Sequence, residues 1–432
     1  MSIKNNNKYA VTAWLICGLG ALFYAYEYLL RISPSVMEPS LRSHFNLSAT
    51  GFGLLSAVYY YAYVPMQLPV GVLMDRFGPR RLLTVACLIC VIGALMFAGT
   101  DVFAIAASGR FLVGVGSAFA FVGVLKLATI WLPEDKLAMV AGLTAALGTI
   151  GAMFGDNVLG GLVLRSGWQQ TINYTAFFGI GLMFVLWFCI HDHKRDLDSG
   201  GTIDSFKKNM IDLGIILREK QIWLNGMYGC LVYLPTTVFA ELWGIPYLRN
   251  GHGLTQPDAG FANSLLFFGF MIGAPLMGYI SDKIKRRKLP MLVGAMGAAI
   301  VMSLILYVPG LDKPTLYPLI FLLGLLYSAQ AIVFAVGREL SPNEAAGTAI
   351  ATTNMIVMIG AMFLQPLVGR LLDWSLRMHH AHVGAPIPSV DNMEQLYTAA
   401  DYQCALSIIP IGIAIAAILI CFIKETHAHA RR

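Results

Sequence analysis

Long apolar runs separated by short polar segments constrain this chain more than any other feature. A helix needs about 20 mainly apolar residues to cross a bilayer. Twelve such runs occur, near residues 10–34, 51–74, 81–100, 103–132, 137–163, 169–190, 222–247, 259–281, 289–309, 315–338, 344–372 and 403–423. The composition agrees, because 57% of the residues are hydrophobic and only 12% are charged. The pattern predicts an all-α integral membrane protein with twelve transmembrane helices.

A polar stretch divides these runs into two sets of six. It covers residues 191–221 and carries too many charged residues to span a membrane. We therefore expect an N-terminal six-helix bundle over residues 1–190, a cytoplasmic linker over residues 191–221 and a C-terminal six-helix bundle over residues 222–432.

The two halves repeat short patterns in the same order. Gly71 and Asp75 recur 207 residues later as Gly278 and Asp282, and the sequence IGAMF at residues 150–154 recurs in the second half. Matches at a nearly constant spacing indicate an internal duplication. The repeats predict two pseudo-symmetric bundles that rock about a central site.

Lysine and arginine are distributed unequally between alternate polar segments. With a cytoplasmic N-terminus, 21 of these residues fall on the inner side and 6 on the outer side. Basic residues are enriched in cytoplasmic loops, so we expect both termini in the cytoplasm. The net charge of +6 comes mainly from these loops and does not indicate a nucleic-acid partner.

No pattern in the sequence indicates catalysis. The seven cysteines lie in or beside apolar runs without the spacing of a metal site, and most of the nine histidines lie in loops and tails. No His-x-x-x-His or Gly-x-Ser-x-Gly pattern falls within a predicted span. The sequence predicts neither an enzyme, nor a metal site, nor a cofactor.

Three charged motifs carry a resemblance to a known family. The turn GVLMDRFGPRR at residues 71–81 has a degenerate copy at residues 278–288, and RFLVGVG at residues 110–116 lies in the fourth run. In this order and topology they resemble the signatures of the major facilitator superfamily along essentially the whole chain. The resemblance implies a monomeric secondary transporter of a small molecule, working by alternating access in the bacterial inner membrane.

Two further features bear on the subfamily. The run YEYLLRISP at residues 26–34 resembles bacterial nutrient importers, including phagosomal transporters, and lysosomal dipeptide carriers are a second relative to consider. Antiporters of the superfamily carry a Gly-Pro pair in span five, where this chain has Gly155 and Asp156. We therefore expect proton-coupled import of an amino acid, short peptide, nucleoside or organic anion. The alternatives are a drug or metabolite:proton antiporter, an uncoupled facilitator and a sensor without transport.

Charged residues inside predicted spans are candidates for proton coupling, since a charge in the membrane is costly. Glu27, Arg110 and Asp156 each lie about seven residues from the outer end of their runs. In the family, an acid of span one paired with the span-four arginine is associated with proton coupling. Glu27 with Arg110 fits that pattern, and Asp156 is the competing partner. Arg31 is placed to reach the outer interface or to pair locally with Glu27.

Polar and aromatic residues of the spans that line the cavity in this family are candidates for substrate binding: Tyr24, Tyr28, Lys126, Tyr228, Tyr233, Thr236, Glu241, Tyr327 and Gln330. An acid such as Glu241 together with Lys126 or Arg110 would suit a zwitterion. The tyrosines at positions 59–61 and 63 cannot all face one way, so we interpret several of them as packing or gate residues.

The repeated charged turns predict a gate made of Gly71, Asp75, Arg76, Gly78, Arg80 and Asp282. A carboxylate at the end of one helix is stabilised by the N-terminus of another. Asp75 is expected to dock at the start of span eleven, residues 342–344, in the outward-open state. By symmetry, Asp282 would dock at residues 133–136, and the arginines would tether the turn to acids or to anionic lipid.

Overall fold

In a computed structural model, residues 3–133, 136–191, 214–342, 345–383 and 397–427 are described. The first half of the described chain consists of helices joined by short turns. They are α1 (Ile3–Phe45), α2 (Ala49–Phe77), α3 (Pro79–Ala98), α4 (Phe103–Trp131), α5 (Leu137–Phe154) and α6 (Gly160–Cys189), with a π-helical segment, Gly155–Leu159, between α5 and α6. Gly167, with a φ of 78°, breaks α6 into the end of the fifth span and the whole of the sixth.

The second half repeats this arrangement with more interruptions. Its helices are α7 (Lys220–Val232), α8 (Gly244–His252), α9 (Gln256–Ile284), α10 (Lys288–Tyr307), α11 (Lys313–Tyr327), α12 (Ile332–Glu339), α13 (Ala346–Val383), α14 (Ala399–Leu406) and α15 (Ile408–Leu419). A π-helical segment, Pro235–Trp243, joins α7 to α8, and a short 3₁₀ segment, Ser328–Ala331, joins α11 to α12.

The helices account for the twelve predicted spans. Nine stretches of the described residues are long and apolar enough to cross a membrane, and one of them, Met139–Cys189, contains two predicted runs. The other two runs correspond to α2 and to the interrupted helix from α7 to α8. The predicted all-α architecture of two six-helix bundles is thus confirmed. Of the predicted linker, residues 192–213 lie outside the described part of the chain.

Turn chemistry fixes how α2 meets α3. Gly78 has a φ of 80°, a conformation that side chains with a Cβ rarely adopt, and its N–H donates to the Met74 carbonyl at 3.1 Å. Pro79 then begins α3, where a missing N–H costs nothing. We call the end of the molecule that holds this turn and the α9–α10 turn the basic end, and the opposite end the distal end.

The two halves touch closely at the distal end. A Cβ added at Gly53 of α2 would lie 2.6 Å from the Gln365 carbonyl oxygen of α13, and one at Gly369 would lie 2.2 Å from that of Ala49. One added at Gly260 of α9 would lie 2.6 Å from the Asp156 carbonyl oxygen. Only glycine allows backbones to approach this closely.

At the basic end the corresponding glycines have open space. A Cβ added at Gly71, Gly142, Gly278 or Gly347 would meet no described atom within 4 Å. These residues lie near the basic ends of α2, α5, α9 and α13, the helices that pack tightly at the distal end. Among these glycines, close contact between the halves is therefore found at the distal end and not at the basic end.

Candidate transport site

A buried guanidinium lies at the centre of the molecule. Arg31 of α1 is only 2% exposed, and its Nη2 donates to Oε1 of Glu27 at 2.9 Å. The two residues are one helical turn apart, so they meet on one face of α1. The Nε of Arg31 donates to the Tyr59 hydroxyl at 2.9 Å, and that hydroxyl donates to Oε2 of Glu27 at 3.0 Å. Arginine, tyrosine and carboxylate form a closed hydrogen-bonded set.

A second carboxylate reaches this set from the other half. Glu241 lies in the π-helical segment Pro235–Trp243 and is 1% exposed. Its Oε1 accepts a hydrogen bond from the Tyr28 hydroxyl at 3.2 Å, and Oε2 accepts one from the Tyr60 hydroxyl. Its Oε1 lies 3.8 Å from Nη1 of Arg31. The guanidinium therefore lies between an acid of each half.

Three aromatic rings surround the same guanidinium. The Cζ atom of Arg31 lies 4.4 Å from the ring centroid of Tyr28, 4.9 Å from that of Tyr63 and 5.4 Å from that of Tyr59. A cation over aromatic faces is stabilised by the ring quadrupole, and more so when it is desolvated. We call Glu27, Arg31, Tyr28, Tyr59, Tyr60, Tyr63 and Glu241 the central cluster.

The predicted ion pair between Glu27 and Arg110 is not formed. Arg110 is buried, but its Nη1 and Nη2 donate to the backbone carbonyls of Leu30 and Arg31 at 2.8 and 3.1 Å. The sequence explains this arrangement, because Pro34 has no N–H to donate to the Leu30 carbonyl within α1. Arg110 supplies the missing donor, while Arg31, on the same helix as Glu27, takes the carboxylate. The Nε of Arg110 has no hydrogen-bond partner in the described part of the chain.

Asp156 does not join the central cluster either. It lies in the π-helical segment between α5 and α6 and is 2% exposed. Its Oδ2 accepts a hydrogen bond from the side-chain amide of Asn263 in α9 at 2.8 Å, and that amide also donates to the Ala240 carbonyl at 2.9 Å. The predicted competition with Glu27 for Arg110 is thus absent from this structure. Asp156 instead links the two halves near the distal end.

Four of the predicted substrate residues form a second group in the C-terminal half. The Tyr327 hydroxyl and Oγ1 of Thr236 are 2.6 Å apart, and the ring of Tyr233 lies 6.2 Å from that of Tyr327. Gln330 is buried in the 3₁₀ segment one turn beyond Tyr327. The Tyr233 hydroxyl neighbours that of Tyr28, which connects this group to the central cluster.

The remaining predicted substrate residues lie in different surroundings. Tyr24 is half-buried, and its ring lies 5.4 Å from that of Phe121. Lys126 is half-buried and lies five residues beyond Phe121 in α4, toward the basic end. Along the helix axis it is about 24 Å from Arg110, at 1.5 Å per residue. The Tyr228 hydroxyl donates to the Met291 carbonyl at 2.8 Å. The hydroxyl of Tyr228 is thus engaged in packing between α7 and α10.

The predicted gate at the basic end is described only in part. A Cβ added at Gly71 would meet no described atom within 4 Å, and Arg76 is exposed beside the ring of Phe77. The Nε of Arg80 donates to the Trp187 carbonyl at 2.9 Å, which tethers the turn to α6. The side chain of Asp75, and residues 134–135 and 343–344 of the proposed docking sites, lie outside the described part of the chain.

Asp282 is engaged within its own half. Its Oδ1 lies 2.6 Å from Nη1 of Arg287, whose Nη2 lies 2.6 Å from Oε1 of Glu339. Glu425 accepts hydrogen bonds from the backbone N–H groups of Arg287 and Lys288 at 2.7 and 3.1 Å. Asp282 is thus paired with a residue of its own α9–α10 turn, and its predicted docking on span five stays a prediction, since residues 134–135 of that site lie outside the described part of the chain.

Arg31 and three tyrosines of α2 lie in this site, although the sequence did not predict them as substrate or proton-coupling residues. Tyr59, Tyr60 and Tyr63 share one face of α2 at positions i, i+1 and i+4, whereas Tyr61 points elsewhere and is half-buried. The four tyrosines within five residues could have indicated this site from the sequence. Helical spacing puts three of them on the face of α2 toward Arg31 and Tyr61 on another face. Among the described residues there is no group of three or more histidine, cysteine or acidic side chains that could hold a metal ion.

Comparison with known sequences identifies relatives. A family model for the Major Facilitator Superfamily matches residues 16–365. "Probable sulfoacetate transporter SauU" of Cupriavidus necator is 24% identical over 292 residues, which covers 64% of this chain. The match spans 66% of that protein, just under two thirds of its length. "Probable galactarate/D-glucarate transporter GudP" of Escherichia coli is 22% identical over 406 residues, covering 85% of this chain and 88% of that protein.

Solved structures with a similar fold include two transporters. A bacterial homolog of the human lysosomal transporter Spinster matches with a TM-score of 0.76 at 15% identity, covering 95% of this chain and 97% of that one. A D-xylose-proton symporter matches with a TM-score of 0.72 at 16% identity, covering 98% and 99%. These likenesses concern the fold. Since the family model covers most of the chain, this membrane protein belongs to the Major Facilitator Superfamily and is a transporter, not an enzyme.

Proposed function

We propose that this transporter imports a small organic-acid anion together with a proton, by alternating access. The observation that carries the proposal is Arg31, a buried guanidinium held between Glu27 of one half and Glu241 of the other. A guanidinium binds a carboxylate with two parallel hydrogen bonds. An anionic substrate can therefore take the place that one of the two acids now occupies.

The central cluster also supports proton coupling. Two acids, Glu27 and Glu241, lie close to two arginines, Arg31 and Arg110, so their formal charges cancel. An added anion would leave one buried negative charge uncompensated, which is costly. A proton on Glu27 or Glu241 removes that charge and releases the guanidinium to the substrate. Asp156, which lies outside the cluster, is a further candidate for carrying a proton.

The chemistry of the relatives narrows the substrate class. Proteins matched along the sequence are named as transporters of sulfoacetate, galactarate, D-glucarate and D-galactonate. All of these are organic acids that are anionic at neutral pH. This supports an organic anion over the amino acids, peptides and nucleosides that the sequence also allowed. Tyr24, Tyr233, Thr236, Tyr327 and Gln330 would surround the rest of the ligand.

Topology and location complete the proposal. We infer that the basic end faces the cytoplasm, because lysine and arginine are enriched there. The bacterial inner membrane is the expected location, with both termini inside. One chain contains acids of both halves around Arg31, so a monomer suffices for transport.

A thermal-shift screen of the purified protein tests the substrate class. We expect stabilisation by at least one of sulfoacetate, D-glucarate, galactarate and D-galactonate, and none by alanine, dialanine or uridine. Arg31→Lys keeps the charge but removes the fork that matches a carboxylate, so it should lose most of this shift. Arg165→Lys, at an exposed position of α6, is the matched control. Stabilisation by uridine or dialanine alone would contradict an anion carrier.

A further inference from the structure

A second polar group adjoins the central cluster on the side of the basic end. Gln67 of α2 is 5% exposed, and its Oε1 accepts a hydrogen bond from Nδ2 of Asn354 in α13 at 3.1 Å. Asn354 also neighbours the Tyr63 hydroxyl. Tyr63 in turn contacts Arg31. The amide pair is thus one residue removed from the guanidinium.

In the described part of the chain, only the oxygen of the Gln67 side-chain amide has a hydrogen-bond partner. Its Nε2 has no hydrogen-bond partner in the described part of the chain, although the atom is buried. A buried donor without a partner loses its bonds to water without replacing them, which is unfavourable. The hydrogen bond to Asn354 occupies the acceptor side of Gln67, which leaves its donor and the Asn354 Oδ1 acceptor for another group. A hydroxyl group, which both donates and accepts, matches this pair.

The position of the pair relative to Arg31 sets the kind of ligand. Gln67 follows Tyr63 by one helical turn on the same face of α2, about 6 Å toward the basic end. A molecule that binds Arg31 with its carboxylate would extend a hydroxylated chain along this face. A short acid without hydroxyl groups would leave Gln67 unsatisfied.

We propose that Gln67 and Asn354 form a second subsite that binds hydroxyl groups on the chain of an organic acid whose carboxylate binds Arg31. This inference rests on the proposed function and names its substrate class as hydroxy acids. The pair also joins α2 to α13, one helix from each half. A hydroxylated substrate at this position would contact both halves at once.

The test compares two six-carbon acids, D-gluconate and hexanoate, which differ in their hydroxyl groups. Their affinities are measured by isothermal titration calorimetry on the purified wild-type protein and on variants. We expect wild type to bind D-gluconate more tightly. Sites built to hydrogen-bond a hydroxyl discriminate strongly against analogues that lack it, so Gln67→Met should reduce the ratio of the two affinities by about tenfold or more, with hexanoate binding nearly unchanged.

Two further variants separate ligand binding from a structural role. Gln67→Glu keeps an acceptor for the Asn354 amide but has no donor, so it should lose the preference for D-gluconate as Gln67→Met does. Tyr61→Phe removes a hydroxyl from another face of α2 and should keep the wild-type ratio. If Gln67→Glu keeps the wild-type ratio of affinities while Gln67→Met reduces it, Gln67 serves only to hold Asn354 in place. That result would overturn the subsite.

The outcomes also distinguish the subsite from the proposed function. If wild type binds both acids equally, or if Gln67→Met keeps the wild-type ratio, the subsite is refuted while anion binding at Arg31 stands. If wild type binds neither these acids nor the relatives' substrates, the anion carrier itself is refuted, and the subsite with it.

Discussion

At the scale of single residues, Arg31 differs from an ordinary buried cation because two acids from different helices compete for it. Glu27 holds it within α1, and Glu241 approaches it from the other half at 3.8 Å. Removing one member of a buried charged set leaves the others uncompensated and is strongly destabilising. Conservative changes of the acids are therefore more informative than deletion of the arginine.

Glu27→Gln tests proton coupling at this scale. The amide keeps the size of the side chain but cannot exchange a proton, so counterflow should continue while uptake driven by a pH gradient is lost. Glu38→Gln is the matched control, since Glu38 and Arg42 form the same i,i+4 pair on α1 at 2.8 Å. The control should retain gradient-driven uptake. Both transport modes are measured in proteoliposomes, and unchanged gradient-driven uptake in Glu27→Gln would remove Glu27 from the coupling.

Glu241→Gln tests the link between the halves. The amide oxygen can still accept a hydrogen bond from one of Tyr28 and Tyr60, and the amide nitrogen can donate to the other hydroxyl. The ionic attraction to Arg31 is lost. We expect an organic acid to bind this variant more tightly than wild type, by about tenfold, because one competitor for the guanidinium is gone. Calorimetric titration measures the change. A weaker affinity would indicate that Glu241 itself contacts the substrate.

Depth along a helix was the main source of error for these residues. The apolar run predicted an end of the first span near residue 34, which would put Arg31 close to the interface. The helix α1 continues to Phe45, so Arg31 lies about three turns deeper than that boundary implied. Arg110 was correctly expected to be buried, but its partners depend on Pro34 and on the packing of α4 against α1, which residue types alone do not reveal.

At the scale of helices, a carboxylate docks on a helix N-terminus at the distal end. Oδ1 of Asp373 in α13 accepts a hydrogen bond from the N–H of Ala49 at 3.1 Å, and Oδ2 accepts one from that of Thr50 at 2.9 Å. The Tyr397 hydroxyl donates to Oδ1 at 2.5 Å. This is the interaction predicted for Asp75, with the roles of the two halves exchanged and at the opposite end of α2.

Asp373→Ala should weaken the distal closure. A lost carboxylate cap costs about 1 kcal/mol, which corresponds to roughly a fivefold change in an equilibrium between two states. We expect a larger distal-open population, seen as faster labelling of a cysteine introduced in place of Ser264 of α9, which is 3% exposed and accepts a hydrogen bond from the Asn157 amide of the other half.

The control for this prediction is a cap that lies within one half. Asp312 accepts a hydrogen bond from the N–H of Thr315 at 3.2 Å at the start of α11. Asp312→Ala removes a cap of the same kind without touching the contact between the halves, and labelling at position 264 should stay at the wild-type rate. Equal labelling in the two variants would show that Asp373 does not hold the distal end closed.

At the scale of the whole molecule, the sequence predicted the helices better than their contacts. Twelve apolar runs and the repeated charged turns were enough for two six-helix bundles, because bilayer thickness and duplication leave few alternatives. The π-helical segments at Gly155–Leu159 and Pro235–Trp243 carry Asp156 and Glu241, and no local pattern predicted them. Which end is closed is a matter of packing between halves, since the same sequence must also form the opposite state.

Simultaneous measurement of proton and substrate flux tests the central claim most directly. Proteoliposomes with an internal pH indicator receive the labelled organic acid that gives the largest thermal shift. If a neutral cluster takes up an anion only with compensating protons, the interior should acidify by one proton for each negative charge that enters, and a protonophore should abolish accumulation. Entry of the acid without acidification, or with alkalinisation, would contradict coupled import.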